Sequence, residues 1–148
     1  MVDNRVAVII GGASGIGWAT AQVLAAEGCR VTVADRNTDG ASTRAAELGE
    51  PHTWAAVEVT DEDSVTRLFD DVVAREGSLD VVVNCAGFSG FGLITELDAE
   101  QFRSVVDVCL TGGFLVIKHA GRHFSPGAAL VSLTSLNARQ PAIGMSAY

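Results

Sequence analysis

Residues 9–17 of this 148-residue chain read Ile-Ile-Gly-Gly-Ala-Ser-Gly-Ile-Gly, a glycine turn between an apolar run and a helical stretch. Glycines in that setting hold phosphate. Gly11 permits a tight turn, Gly15 lets the backbone approach a pyrophosphate, and Gly17 lets the following helix pack on the preceding strand. The helix start then offers unpaired N–H groups and partial positive charge to the anion, with the Ser14 hydroxyl as a further donor. Asp35 follows Gly17 by 18 residues, close to the ~20 at which a carboxylate accepts hydrogen bonds from an adenosine ribose. A 2′-phosphate placed there would meet like charge, at up to ~4 kcal/mol for a 4 Å separation in a partly screened site. Arg36 opposes this by offering that phosphate a partner. The acid is expected to dominate, with Arg36 lying against the adenine, so NAD is the expected cofactor ahead of NADP.

His119 and His123 are spaced i, i+4 near a predicted helix end. Nothing nearby supplies a third ligand at a recognisable spacing, so no metal site is expected. Favourable positive charge at a helix C-terminus is the simpler reading of the pair.

These residues need elements to position them, and the chain supplies an alternation. Residues 5–10, 30–34, 53–57, 79–84 and 128–133 are short β-branched runs that read as strands. Between them lie helical stretches at 15–28, 39–48, 61–77 and 99–124. In the third, Val65, Leu68, Phe69, Val72 and Val73 recur at helical spacing; Asp61 can cap its start and Gly77 its end. Five β-α repeats imply an α/β fold with a parallel sheet, right-handed crossovers and helices on both faces, in a single domain over 1–148.

Composition agrees with that architecture and excludes others. The hydrophobic fraction is 48% and the mean hydropathy +0.30, as expected of strands buried on both faces. No apolar run approaches the ~18 residues of a membrane span. The apolar run at the N-terminus is too short for a signal peptide and has no cleavage site. A net charge of −8 without a basic cluster argues against a nucleic-acid partner. Cys29, Cys85 and Cys109 are odd in number and widely spaced, so a disulfide framework is not expected and a reducing, cytoplasmic setting is.

The glycine spacing G-x-x-x-G-x-G resembles that of the short-chain dehydrogenase/reductase family, and later segments extend the likeness along the whole chain. Asn-Cys-Ala-Gly (84–87) resembles the family's N-N-A-G, which implies that Asn84, Ala86 and Gly87 run beside the nicotinamide-side ribose. Residues 58–61 resemble D-V-T-D, which implies that Glu58 and Val59 frame the adenine. Ile16 and Arg36 are expected at the same cofactor. Residues 131–135 resemble the strand end that carries the catalytic serine, and Ser-Ala-Tyr (146–148) the start of Y-x-x-x-K. Ser135 precedes Tyr148 by 13 residues, the family's own separation, which favours Ser135 over Ser132 and Thr134.

The resemblance implies a Rossmann-like, doubly wound, three-layer α/β/α fold. It implies hydride transfer between a nicotinamide cofactor and a secondary alcohol or ketone. Tyr148 would exchange the proton with the substrate oxygen while Ser135 hydrogen-bonds it. Phe88, Phe91, Leu93, Ile143 and Met145 are expected to line a mostly apolar substrate pocket.

Four residues depart from the family pattern. Ile10 replaces a threonine whose hydroxyl ties the turn to strand four, and Glu58 replaces an aspartate. Cys85 stands at the second asparagine of N-N-A-G. Cys109 stands where the family keeps the asparagine that holds a water in the proton relay; a thiol cannot copy that amide, and a buried packing role is expected for it.

The family's lysine would fall at position 152, beyond Tyr148. The sequence therefore reads as a piece of an enzyme, with later strands and helices missing. By itself it is expected to turn over little or no substrate, and the intact protein is expected to be a homodimer or homotetramer. The competing reading is a nucleotide-binding module without catalysis.

Overall fold

A computed structural model describes residues 4–148. Its centre is β1 (Val6–Ile10), five apolar residues in a row that are all fully buried. An unbroken apolar strand must be covered on both faces, and alternate residues here serve different layers. Ala7 and Ile9 pack with Ala21, Ala41 and Ala45 from α1 (Gly15–Ala26) and α2 (Thr38–Leu48). Val6, Val8 and Ile10 pack with Val65, Leu68, Phe69, Leu115 and Val116 from α3 (Glu62–Glu76) and α5 (Gly113–Ala120). Burying Phe69 alone stabilises the fold by about 1.5–3 kcal/mol.

With β2 (Arg30–Asp35), β3 (Thr53–Ala56), β4 (Val81–Asn84) and β5 (Ala129–Ser132), the sheet has five parallel strands in the order β3-β2-β1-β4-β5. The chain winds outward from β1 to β3, then crosses back to place β4 on the other side of β1. Loops leaving β1 and β4 therefore part in opposite directions, opening a crevice at the strand C-termini. The expected doubly wound α/β architecture is present.

α3 begins where Asp61 accepts the Asp63 N–H and ends at Gly77, whose left-handed φ of 79° suits a residue without Cβ. The fourth helical stretch differs from the single helix expected over 99–124. It runs as α4 (Ala99–Val106), a π-helical turn (Asp107–Gly112) and α5, ending at Ala120. Close packing accompanies the wide turn, because a Cβ on Gly112 would stand 2.8 Å from Val59 Cγ2.

His119 lies in the last turn of α5, as expected, and both histidines of this stretch reach the neighbouring helix. His119, 3% exposed, sets Nε2 2.9 Å from Glu62 Oε1 and Nδ1 3.1 Å from Thr66 Oγ1, while His123 Nε2 lies 3.0 Å from Asp70. All three partners are on α3, so the two histidines fasten α5 and its following turn to the neighbouring helix. Hydrogen bonds from Lys118 and then His119 hold the exposed Glu62 carboxyl below its ordinary pKa. An uncovered apolar face remains on the π-helical turn and α5, where Leu110, Phe114 and Ile117 are more than half exposed. No helix is long and apolar enough to cross a membrane among the described residues.

Candidate active site

Two adjoining cavities occupy the crevice. The smaller, about 210 Å³, is lined by Gly11, Ser14, Asp35, Arg36, Glu58, Val59, Ala86 and Gly87, together with Ile10, Val57 and Val108. The larger, about 1050 Å³, is lined by Ile16, Asn84, Ala86, Gly87, Ser135 and Tyr148 among others. Residues 85–88 belong to both walls, so the two spaces run on from each other past the end of β4.

The glycine turn is held by the backbone on either side. Gly11 and Gly12 donate N–H bonds to Ala34 O at 2.9 and 3.1 Å, and Cys85 donates to Ile10 O at 2.9 Å. This last bond joins the turn to β4 through the main chain, where the family's threonine would use a hydroxyl. Gly17 lines neither cavity and is buried: a Cβ there would meet Gly11 C at 2.8 Å and Gly12 Cα at 3.1 Å. Gly15 also lines neither cavity, but it is exposed. Its φ is +52° and a Cβ would find nothing within 4 Å, so the space above the helix start is open.

Ser14 stands at the N-cap of α1 and makes no side-chain capping bond, so its hydroxyl stays available at the wall of the smaller cavity. An open backbone approach, an unspent serine and the N-terminus of a 12-residue helix converge on one point. These residues fit a dinucleotide's phosphates.

Asp35 sits where β2 ends, in the wall of the same cavity. Its Oδ2 accepts the Ala13 N–H at 3.0 Å and its Oδ1 the Asn37 N–H at 2.9 Å. Each carboxylate oxygen keeps a further acceptor site, and those can take ribose hydroxyls. Glu58 turns its Oε1 onto Thr60 Oγ1 at 2.9 Å, which leaves its stem and backbone to shape the cavity. Asn84 is 6% exposed and lines the larger cavity; its Oδ1 accepts the Ala86 N–H at 3.1 Å.

Ser135 precedes a single 3-10 turn, Leu136–Ala138, and its Oγ accepts the Asn137 N–H at 3.2 Å. With one backbone donor on the oxygen, the serine keeps its own proton and a second lone pair for a ligand. Tyr148 lines the same cavity. Asn137 and Val108 line these spaces without having been foreseen as site residues.

Of the five residues expected to form an apolar substrate pocket, Phe88 and Met145 line the larger cavity and Phe91, Leu93 and Ile143 do not. These three are exposed, with Ile143 at 84%: Phe91 and Leu93 lie in the loop after β4 and Ile143 in the segment before Tyr148. Cys109 is also misplaced by the expectation of a buried packing role. It is half-buried in the wall of the larger cavity, where its thiol donates to Phe88 O at 3.6 Å. The π-helical turn that contains it presents the side chain to the crevice rather than to the sheet.

Comparison with known proteins decides the family. The family model described as enoyl-(acyl carrier protein) reductase matches residues 11–148. Cis-4-hydroxycyclohexanecarboxylate dehydrogenase of Sinomonas cyclohexanicum is 41% identical over 138 residues, covering 90% of this chain and 55% of that one. D-threitol dehydrogenase of Mycolicibacterium smegmatis is 35% identical over 139 residues, covering 90% and 54%. A solved short-chain type dehydrogenase/reductase from Mycobacterium ulcerans superposes with a TM-score of 0.92 at 34% identity, over 99% of this chain and 56% of the other. This chain belongs to the short-chain dehydrogenase/reductase family. It spans about half the length of the curated relatives it matches. The short-chain dehydrogenase/reductase family uses a nicotinamide cofactor.

Proposed function

We propose that this chain is the nucleotide-binding portion, with the catalytic serine and tyrosine, of an oxidoreductase acting on a secondary alcohol or ketone and preferring NAD. One observation carries the reading: the Asp35 cavity and the Ser135–Tyr148 cavity share the wall formed by residues 85–88. A dinucleotide laid along that wall would reach from the ribose-binding acid to the acid–base group.

When bound, the cofactor supplies or takes up the hydride. The chain does the rest. The N-terminus of α1 and Ser14 receive the phosphates, and Asp35 receives the ribose hydroxyls. Ser135 donates its proton to the substrate oxygen, and the Tyr148 phenol exchanges a proton with that same oxygen. A free phenol has a pKa near ~10, so the exchange at neutral pH needs a positive group nearby to favour the phenolate. The larger cavity's wall is more apolar than polar, formed in part by Phe88, Leu110, Phe114, Leu133 and Met145, which suits an alicyclic or otherwise hydrophobic substrate body.

Titration with NADH and NADPH tests the nucleotide half, with at least tenfold tighter NADH binding expected; equal affinities would remove the preference. In the whole protein, ketone reduction should be lost on Tyr148→Phe and reduced by about 10²-fold on Ser135→Ala, with nucleotide affinity kept. Nucleotide binding with no turnover on any alcohol or ketone would instead favour a binding module.

A further inference from the structure

The loop after β4 and the segment that carries Tyr148 meet at one place. Gly92 pairs with Met145 as an isolated parallel bridge, and the Gly92 N–H donates to Gly144 O at 2.9 Å. Gly144 has a left-handed φ of +81° and is buried, although its neighbours Ala142 and Ile143 are exposed. What buries it is the ring of Phe91. A Cβ on Gly144 would stand 2.7 Å from Phe91 Cζ and 3.0 Å from Cδ2.

The loop side is held in turn. Gln101 Nε2, on the first turns of α4, donates to Phe91 O at 3.4 Å. A Cβ on Gly92 would meet Leu97 Cδ1 at 2.8 Å, so the loop is packed against itself at the bridge. The tyrosine side is short. Tyr148 N–H donates to Met145 O at 3.1 Å, and Met145 N–H to Ala142 O at 3.1 Å. From Gln101 to Tyr148 the sequence of contacts passes through Phe91, Gly92, Gly144 and Met145.

We propose that Phe91 and Gly144 form a latch that sets the position of the Tyr148 phenol by fixing its segment to the loop over residues 88–97. This rests on the reading of Tyr148 as the proton-exchanging group and adds a positioning role for two residues that touch neither cavity wall. Phe91 is 71% exposed, so a pocket role or core role does not explain an aromatic ring there. Covering a glycine backbone does. Gly144 is fixed in identity from two directions, by its φ and by the ring.

Tyr148 is the one tyrosine in the sequence, so 3-fluorotyrosine incorporation gives a single ¹⁹F resonance that reports on it. In the unaltered chain that resonance should lie away from the position it takes in urea. Phe91→Ala should move it most of the way to the urea position, Gly144→Ala likewise, and Phe91→Leu, which keeps an apolar cover, should restore at least half of the displacement. Phe91→Ala removes an exposed ring, and circular dichroism and NADH titration of the same samples check that the domain is intact. A resonance unmoved by Phe91→Ala and Gly144→Ala in folded chains would overturn the latch, as would equal effects of Phe91→Ala and Phe91→Leu. Failure of all variants and the parent to bind NADH would count against the proposed function alone, because the ¹⁹F shift is read without nucleotide.

Discussion

The Asp35 carboxylate accepts the backbone N–H of Ala13 at 3.0 Å, so the acid at the end of β2 also holds the glycine turn that follows β1. One side chain thus links the proposed place for a ribose to the proposed place for phosphates. Its second oxygen, bonded to the Asn37 N–H at 2.9 Å, fixes its direction from the other side. An acid restrained twice by backbone donors is aimed before any ligand arrives.

Removing that acid should therefore do two things at once. Asp35→Ala is expected to weaken NADH binding by about tenfold or more, since hydrogen bonds to a charged group contribute about 1.5–3 kcal/mol. It should also abolish the preference for NADH over NADPH, because the like charge facing a 2′-phosphate is gone. Fluorescence titration of both nucleotides checks this. Unchanged NADH affinity in the variant would separate Asp35 from the nucleotide.

The glycines at 15 and 17 should fail for different reasons. Gly17→Ala pushes a methyl group into the backbone of Gly11 and Gly12, and overpacking of that kind costs about 1–3 kcal/mol. Gly15→Ala meets no atom within 4 Å but strains a φ of +52°, at about 1–2 kcal/mol. Asparagine tolerates that left-handed backbone. Gly15→Asn should accordingly unfold in urea at a higher midpoint than Gly15→Ala, whereas Gly17→Asn should be no better than Gly17→Ala. Matching behaviour at the two positions would contradict the distinction.

His52 supplies the pH dependence. Its Nδ1 accepts the Val31 N–H at 3.1 Å, and burial holds its pKa below the ordinary value of 6.5. The unfolded chain therefore takes up the proton first as the solution is acidified. Stability attached to His52 is fully present above that ordinary value and is lost as pH falls from there through the lowered folded pKa. Urea unfolding followed from pH 7.5 downward should show this loss in the parent and a shallower one in His52→Asn, whose amide oxygen can accept the same N–H. Parallel curves would mean that the ring nitrogen does not carry the effect.

The motifs were legible because each is local. A turn through Gly11, Gly15 and Gly17 needs only its own backbone and the helix behind it, so its residues can be recognised in a row. The same holds for Asp61 and Gly77 at the ends of α3, where cap geometry depends on a few neighbouring residues. The long helix expected over 99–124 was misread for a complementary reason. Periodicity marks an apolar face but does not register a π-helical turn, and the packing of Gly112 on Val59 lies 53 residues away in sequence.

The sequence by itself determined the parallel α/β pattern, the glycine turn, the acid at 35 and the separation of Ser135 from Tyr148. All of these follow from periodicity, backbone permissiveness or spacing, which are properties of the chain in one dimension. Only the tertiary structure decided which of those residues share a wall. It placed Cys109 in the larger cavity and turned Phe91 away from it onto Gly144. It also gave His119 to Glu62 and Thr66 and set Asn137 beneath the Ser135 hydroxyl. The placements of Cys109, Phe91 and His119 are settled by contacts between segments far apart in the chain, with the loop after β4, the segment before Tyr148 and α3, and the Asn137 bond by a local turn that only the folded backbone closes.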